Sequence, residues 1–371
     1  MNNQKFKSLI ILYAAYAWFS RVSSSIIPAY LLGRGISTNQ MFLANALQFI
    51  PMLLVLLFVR IPTAKLSWRL AIISGLLAVV SIVNIQFDFQ IYLTYILAGI
   101  SLALFFIYYN VGHFLYTPKD KTGVSGGVMY AISPAISIFA PIIAGSLAIL
   151  NINYLWFISL LSFGLAYSLT FRQTDFKISY KIIESLRSIK AIRIPIFLEG
   201  IWEAILFSFI PLSTLHFISS LAGYGQYLGY LSLIGTIAGL LLGHFSDKIK
   251  KRSFLLTPIS LILAFATVGL IFGLKSFSIW IIITSLIQFM VPIFWNISTA
   301  LMIDQNLDLK VAFPGREIVL AFGRLLGLAF TYICIVNSQI NLLLITLALV
   351  ILALPIYLYY QSKITRRFIY R

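Results

Sequence analysis

The sequence predicts an all-α integral membrane protein, with twelve transmembrane helices arranged as two pseudo-symmetric six-helix bundles. Of its 371 residues, 60% are hydrophobic and only 10% are charged, and the mean hydropathy is +0.97. A soluble domain carries about 25% charged residues. A soluble fold could not cover this much apolar surface, because its own surface must face water. The bilayer is the solvent that remains.

Apolar stretches of about 20 residues, enough to cross a bilayer, give the positions of the helices. The short gaps between several of them require neighbouring spans to run antiparallel. The first stretch follows Lys5 and Lys7 like a signal peptide, but it continues too far and is interpreted as an uncleaved span. We predict spans at residues 8–32, 39–59, 68–87, 90–113, 124–149, 152–171, 194–219, 224–245, 254–274, 277–303, 313–337 and 340–361.

Lys and Arg fall on alternate connections between these spans. If the N-terminus is cytoplasmic, all but four of the 27 basic residues are on the cytoplasmic side; Arg34 and Lys275 are outside, and Arg21 and Arg324 are within spans. The positive-inside rule therefore predicts a multi-pass protein of the plasma (inner) membrane with both termini cytoplasmic. It also explains the net charge of +17 without a nucleic-acid partner.

The longest polar gap divides the chain into halves. We predict an N-terminal bundle at residues 1–172, a cytoplasmic linker at 173–193 and a C-terminal bundle at 194–371. Within the linker, the spacing of Ile182, Ile183, Leu186 and Ile189 indicates a short amphipathic helix on the inner membrane face.

The first spans of the two halves are alike. Arg21 precedes Pro28 in span one, and Glu203 precedes Pro211 in span seven. Each span thus has a charged residue near its middle and a proline two turns later, which we expect to act in helix bending or packing. Repeated halves are a common construction of secondary transporters.

A short basic motif follows span eight. It reads Gly243-His-Phe-Ser-Asp247-Lys248-Ile-Lys250-Lys251-Arg252. The glycine permits close approach of helix ends, the aspartate suits a neighbouring helix N-terminus, and the basic cluster suits the inner headgroups. The alternative is a basic turn that only sets topology.

This motif resembles the G-x-x-x-D-[RK]-x-[GK]-[RK]-[RK] loop of the major facilitator superfamily. The resemblance implies alternating access between two six-span halves, with Gly243, Asp247, Lys248, Lys251 and Arg252 steadying one conformation. The equivalent loop of the first half, residues 60–69, lacks the glycine and the aspartate, so the resemblance implies a contact of this kind only in the second half.

Span five contains Ala140-Pro141-Ile-Ile-Ala-Gly145. It is similar to the G-P-x-x-G-G segment of exporters in that superfamily, with alanine at two glycine positions. Small residues allow close helix contact and proline bends the helix. The similarity favours export.

Four charged residues near the middle of spans are the candidates for coupling or substrate binding: Glu199, Glu203, Arg21 and Arg324. Burial disfavours a charged carboxyl and a nearby arginine favours it, so Glu203 can take up and release a proton as its surroundings alternate. The arginines can hold an anionic substrate group. The alternative is that they form permanent pairs, Arg21 with Glu203 and Arg324 with Glu199.

Aromatic and amide side chains occupy matching places in spans four and ten. Tyr108, Tyr109, Asn110, Trp295 and Asn296 are candidates to line a central cavity, with ordinary packing as the alternative. Arg316 and Glu317 follow Pro314-Gly315 and are interpreted as charges at a helix end, with a gate contact as the alternative.

The function predicted from these features is proton-coupled export of an amphipathic or anionic small molecule. The alternatives are uptake of a small organic anion, a transport-inactive sensor, or a lipid-handling protein that keeps the fold. We find no nucleotide-binding loop, no His or Cys spacing typical of metal sites, no cofactor motif and no sign of an enzyme. Cys334 is the single cysteine, and one chain supplies both halves, so a monomer is expected.

Overall fold

The computed structural model describes residues 4–59, 61–83, 85–117, 122–246, 252–305 and 308–365. Within these ranges the regular secondary structure is helical, with no strand. The helices are α1 (Gln4–Ser24), α2 (Ile27–Gly33), α3 (Thr38–Leu47), α4 (Phe49–Phe58), α5 (Ala64–Val83), α6 (Phe89–Leu115), α7 (Thr122–Leu150), α8 (Ile152–Phe171), α9 (Ile182–Ser188), α10 (Arg193–Trp202), α11 (Ile210–Thr214), α12 (Leu221–Ser246), α13 (Arg252–Gly273), α14 (Phe277–Gln305), α15 (Leu309–Val336) and α16 (Ile340–Thr365).

Most of these helices can cross a bilayer. Among the described residues, eleven helical segments are long and apolar enough, with α1 and α2 forming one of them, α3 and α4 another, and α10 and α11 a third. The remaining predicted span coincides with α12, which has 26 residues and is about 39 Å long at about 1.5 Å per residue. The predicted all-α membrane protein is confirmed.

The first spans of the two halves are both interrupted before their prolines. In span one, α1 ends at Ser24 and Pro28 lies in the first turn of α2. In span seven, α10 ends at Trp202, a π-helical turn covers Ile205–Phe209, and Pro211 lies in the first turn of α11. Proline suits a first turn because its missing N–H would have no intrahelical partner there. The matched prolines of the sequence thus mark matched breaks.

The two halves are in contact along α7 and α12. An added Cβ at Gly225 would collide with the carbonyl of Pro141, and one at Gly145 would collide with the backbone of Leu221. Small residues let the two backbones approach this closely. Pro141 and Gly145 therefore lie in the contact between the halves.

We call the end of the molecule at which α1 begins and α8 ends the basic end. There, residues 173–180 run across the N-terminal half without regular secondary structure, and we call this segment the strap. The backbone N–H of Ala64 donates to the carbonyl of Phe176 at 2.9 Å, and the Tyr180 hydroxyl donates to the carbonyl of Leu56 at 2.6 Å.

The predicted linker helix is present as α9. One of its faces packs against α15 and another is exposed. An added Cβ at Gly315 of α15 would collide with the carbonyl of Ser185. Ser185 is buried, whereas Ile183 is 67% exposed. The helix ends before Ile189, which is itself buried. One face of the helix thus rests on the C-terminal half.

The structure describes only the two ends of the basic loop motif. Gly243 lies in α12 and Arg252 begins α13. Asp247, Lys248 and Lys251 lie outside the described residues.

Candidate functional site

Glycines bring α10 and α15 together at the centre of the C-terminal half. An added Cβ at Gly200 would meet the carbonyl of Leu320 at 2.6 Å, and one at Gly323 would meet the carbonyl of Phe197 at 2.5 Å. At Gly327 it would collide with the carbonyl of Ile201. Such close backbones bring the charged side chains of the two helices within reach of each other.

Glu203 lies between an arginine and a tryptophan. Arg324 donates from Nε to Oε2 of Glu203 at 2.5 Å, and Trp295 of α14 donates from Nε1 to Oε1 at 2.5 Å. The Glu203 side chain is fully buried. Both carboxylate oxygens therefore have donors, which a buried carboxylate requires.

Glu199, one turn earlier, has its own pair of donors. Arg316 donates from Nη2 to Oε1 of Glu199 at 3.1 Å, and Ser298 donates from Oγ to Oε2 at 2.5 Å. Glu199 is fully buried and the Arg316 side chain is 6% exposed. The two glutamates are four residues apart, whereas the two arginines that reach them are eight residues apart. The long arginine side chains therefore converge toward the glutamates.

Glu317 extends this arrangement to the other half of the molecule. Its Oε1 accepts from Nη1 of Arg316 at 3.0 Å and from Nδ2 of Asn110 in α6 at 3.1 Å. Beside it, the Tyr130 hydroxyl of α7 bonds to Oγ1 of Thr299 in α14 at 2.5 Å. Polar contacts thus join the halves at this level.

We call Glu199, Glu203, Arg316, Glu317 and Arg324 the buried charge cluster. It contains three carboxyl groups and two guanidinium groups joined by the ion pairs described above. If every group is ionised, the cluster carries one unbalanced negative charge. A charge away from water is costly unless it is paired, so the cluster is suited to bind one proton.

The π-helical turn of span seven lies directly beyond Glu203. The carbonyl of Phe207 within it accepts a hydrogen bond from Nδ2 of Asn45 in α3 at 2.8 Å. The guanidinium of Arg324 lies 5.0 Å from the centre of the Phe207 ring and 5.9 Å from that of Phe49. π-Helical turns occur often at functional sites, and here the turn makes a second polar contact between the halves.

Arg21 is placed differently from the other midspan charges. It is exposed, and among the described residues it makes no ion pair. The hydroxyl groups of Tyr13 and Tyr16 lie within electrostatic range of it. The alternative pairing of Arg21 with Glu203 and Arg324 with Glu199 is wrong, because Arg324 reaches Glu203 and Arg316 reaches Glu199.

The other cavity candidates are packed inside the protein. Tyr108 donates to the carbonyl of Ile61 at 2.7 Å near the basic end. Tyr109 is fully buried, and its hydroxyl bonds to Nδ1 of His113 at 3.1 Å. Asn296 is buried against Gly126 of α7. Of the five, Asn110 and Trp295 contact the buried charge cluster.

The sequence analysis placed Arg316 and Glu317 at a helix end, whereas the structure places them inside α15 and in the buried charge cluster. Pro314-Gly315 suggested a break, but α15 begins at Leu309, where the side chain of Asp308 accepts from the backbone N–H of Lys310. This cap places Arg316 two turns inside the helix. The aspartate two residues before Lys310 was the available signal, since Asp is a preferred N-cap residue.

The fold has well-matched solved structures, while the sequence does not match known families. No protein-family model matches the chain, and no curated protein matches it. The human organic anion transporter MFSD10 (TETRAN) superposes with a TM-score of 0.73 at 11% identity, covering 96% of this chain and 100% of that one. A bacterial homologue of the iron transporter ferroportin, in its outward-facing state, gives 0.72 at 13% identity, covering 97% and 100%.

These superpositions define the class of the fold. The chain has the all-α fold of these two solved transporters.

Proposed function

We propose that this chain is a secondary active transporter that exports an amphipathic or anionic small molecule in exchange for protons, by alternating access. The buried charge cluster is the observation that carries this proposal. It has one carboxyl group more than it has guanidinium groups, and it lies on the spans that contact the other half.

The position of Glu203 supports proton exchange. In the described arrangement Arg324 and Trp295 both donate hydrogen bonds to its carboxylate, which stabilises the charged form. When the halves move, the contacts that Asn110 and Asn45 make between them can break, and the surroundings of the cluster then change. A buried carboxylate without a partner takes up a proton, and the return movement releases it.

Arg21 supports an anionic substrate. It is an exposed guanidinium near the middle of span one without an ion pair among the described residues. A guanidinium binds carboxylate or phosphate through two parallel hydrogen bonds. One solved neighbour is an organic anion transporter, which agrees with this substrate class. The same observation supports the second candidate, uptake of a small organic anion.

The direction and orientation of transport are part of the proposal. Export is supported by Pro141 and Gly145, which resemble exporter residues and lie in the contact between the halves. The distribution of Lys and Arg supports cytoplasmic termini in the plasma membrane.

Proteoliposomes with a trapped pH indicator test this function. A panel of organic anions and amphipathic cations is applied, and substrate-driven proton movement is recorded. We expect at least one compound to move protons through the wild-type protein, and Glu203→Gln to abolish that movement while substrate exchange without a pH gradient continues. Glu184→Gln, at an exposed glutamate of α9, is the matched control and should behave as wild type.

The outcomes separate the candidates. Flux that ignores an imposed pH gradient contradicts proton coupling and leaves transport standing. An absence of flux across the panel, with intact folded protein, supports the transport-inactive sensor.

A further inference from the structure

The linker contacts both halves of the molecule at the basic end. Its strap is fixed to the N-terminal half through the Phe176 carbonyl and the Tyr180 hydroxyl. Its helix α9 is fixed to the C-terminal half through Ser185, which lies against Gly315. A separation of the halves at this end must therefore release or stretch the linker.

The outer surface of the linker is strongly basic. Its two acidic residues are Asp175 and Glu184, and Asp175 already accepts from the backbone N–H groups of Lys65 and Phe176. None of the linker's basic residues makes an ion pair among the described residues. The exposed basic residues are Arg172, directly before the linker, and Lys177, Lys181, Arg187, Lys190 and Arg193 within it.

The position of this surface matches the level of lipid headgroups. The linker begins where one apolar helix ends, at Phe171, and finishes where the next begins, at Arg193. Exposed apolar side chains lie among the cations: Phe171 is 57% exposed and Ile183 is 67% exposed. Basic residues interspersed with apolar ones are typical of segments that lie in the bilayer interface.

We propose that the exposed basic face of the linker binds the headgroups of anionic phospholipids. Juxtamembrane Lys and Arg are attracted to anionic leaflets. Bound headgroups neutralise the repulsion among these cations and hold the linker against both halves. Anionic lipid therefore favours the conformation that is closed at the basic end. This inference requires that the chain spans a bilayer, but it does not require the proposed proton exchange.

Lipid selectivity around a reporter on the strap tests the proposal. Cys334→Ser removes the native thiol, and Ser179→Cys, at an exposed strap position, receives a fluorophore. Proteoliposomes then contain phosphatidylglycerol or phosphatidylcholine with a nitroxide near the headgroup, at equal mole fraction. We expect phosphatidylglycerol to be preferred over phosphatidylcholine around the reporter by about fivefold or more, which is the preference that a single headgroup contact provides. This preference should fall at high salt.

Matched variants decide the cause of the preference. The substitutions Lys177→Gln, Lys181→Gln, Arg187→Gln and Lys190→Gln together should remove it, while Lys177→Arg, Lys181→Arg and Lys190→Arg together should keep it. Arg34→Gln with Lys275→Gln, in loops at the opposite end, should leave it unchanged. Equal quenching by the two lipids in the parent protein overturns the proposal. A preference that survives the glutamine variant, or is lost in the arginine variant, overturns it as well.

Discussion

Arg324 and Glu203 form a buried ion pair, with 2.5 Å between Nε of Arg324 and Oε2 of Glu203. The glutamate side chain is 0% exposed and the arginine side chain 13% exposed. Breaking such a pair from one side leaves a buried charge without compensation, whereas removing both charges does not. The pair thus makes stability depend on which residue is replaced.

Arg324→Gln should destabilise the protein by about 3 kcal/mol or more at pH 8. Arg324→Gln combined with Glu203→Gln should recover most of this loss, because no buried carboxylate then lacks a partner. Thermal unfolding in detergent measures both effects. An equal loss in the single and double variants would show that the ion pair is not its cause.

Arg21→Gln, unlike Arg324→Gln, should change substrate binding and leave stability unchanged. Arg21 is exposed and makes no ion pair among the described residues, so its removal should leave the unfolding temperature unchanged. If it binds the anionic group of the substrate, KM should rise about tenfold or more, as expected for a lost charged hydrogen bond. Arg21→Lys should retain part of the affinity. An unchanged KM for every transported anion contradicts this role.

The sequence was sufficient for the membrane class and for the matched breaks at Pro28 and Pro211. Hydropathy and proline act locally, so their consequences can be predicted without knowledge of neighbouring helices. The charge pairing was not predictable in the same way. Glu199 and Glu203 are about one helical turn apart, whereas their partners Arg316 and Arg324 are about two turns apart, so matching the residues turn by turn does not give these pairs.

The close approach of α10 to α15 could not be predicted from the sequence either. It depends on which surface of α15 carries Gly323 and Gly327, and on these glycines facing carbonyl groups of α10. Asn45 and Asn110 are uncharged polar residues in largely apolar spans. Their partners are in the other half of the molecule, and only the packed structure identifies them.

Gly327→Ala should destabilise the C-terminal half. Its Cβ would collide with the carbonyl of Ile201, a backbone group that cannot move aside as a side chain can. Overpacking of this kind costs about 1–3 kcal/mol. Gly164→Ala is the matched control, because an added Cβ there has nothing within 4 Å; alanine should be neutral or stabilise the helix by up to about 1 kcal/mol. Equal unfolding temperatures for the two variants would contradict the close packing.

Asn110→Ala and Asn45→Ala should shift the balance of conformations in opposite directions. Asn110 joins the halves through Glu317 toward the basic end, and Asn45 joins them through the Phe207 carbonyl toward the other end. Loss of either bond favours opening on its own side. A hydrogen bond to a charged group contributes about 1.5–3 kcal/mol, so Asn110→Ala should increase exposure at the basic end about tenfold or more.

A cysteine at Thr299 reports that exposure. Thr299 is 1% exposed and bonds to Tyr130 across the contact between the halves. In a Cys334→Ser background, Thr299→Cys should react with a charged thiol reagent about tenfold faster when Asn110→Ala is added. With Asn45→Ala the rate should stay the same or fall, because opening at the opposite end keeps the basic end closed. If both asparagine variants accelerate the reaction equally, they loosen the whole bundle and the two bonds do not act as separate closures.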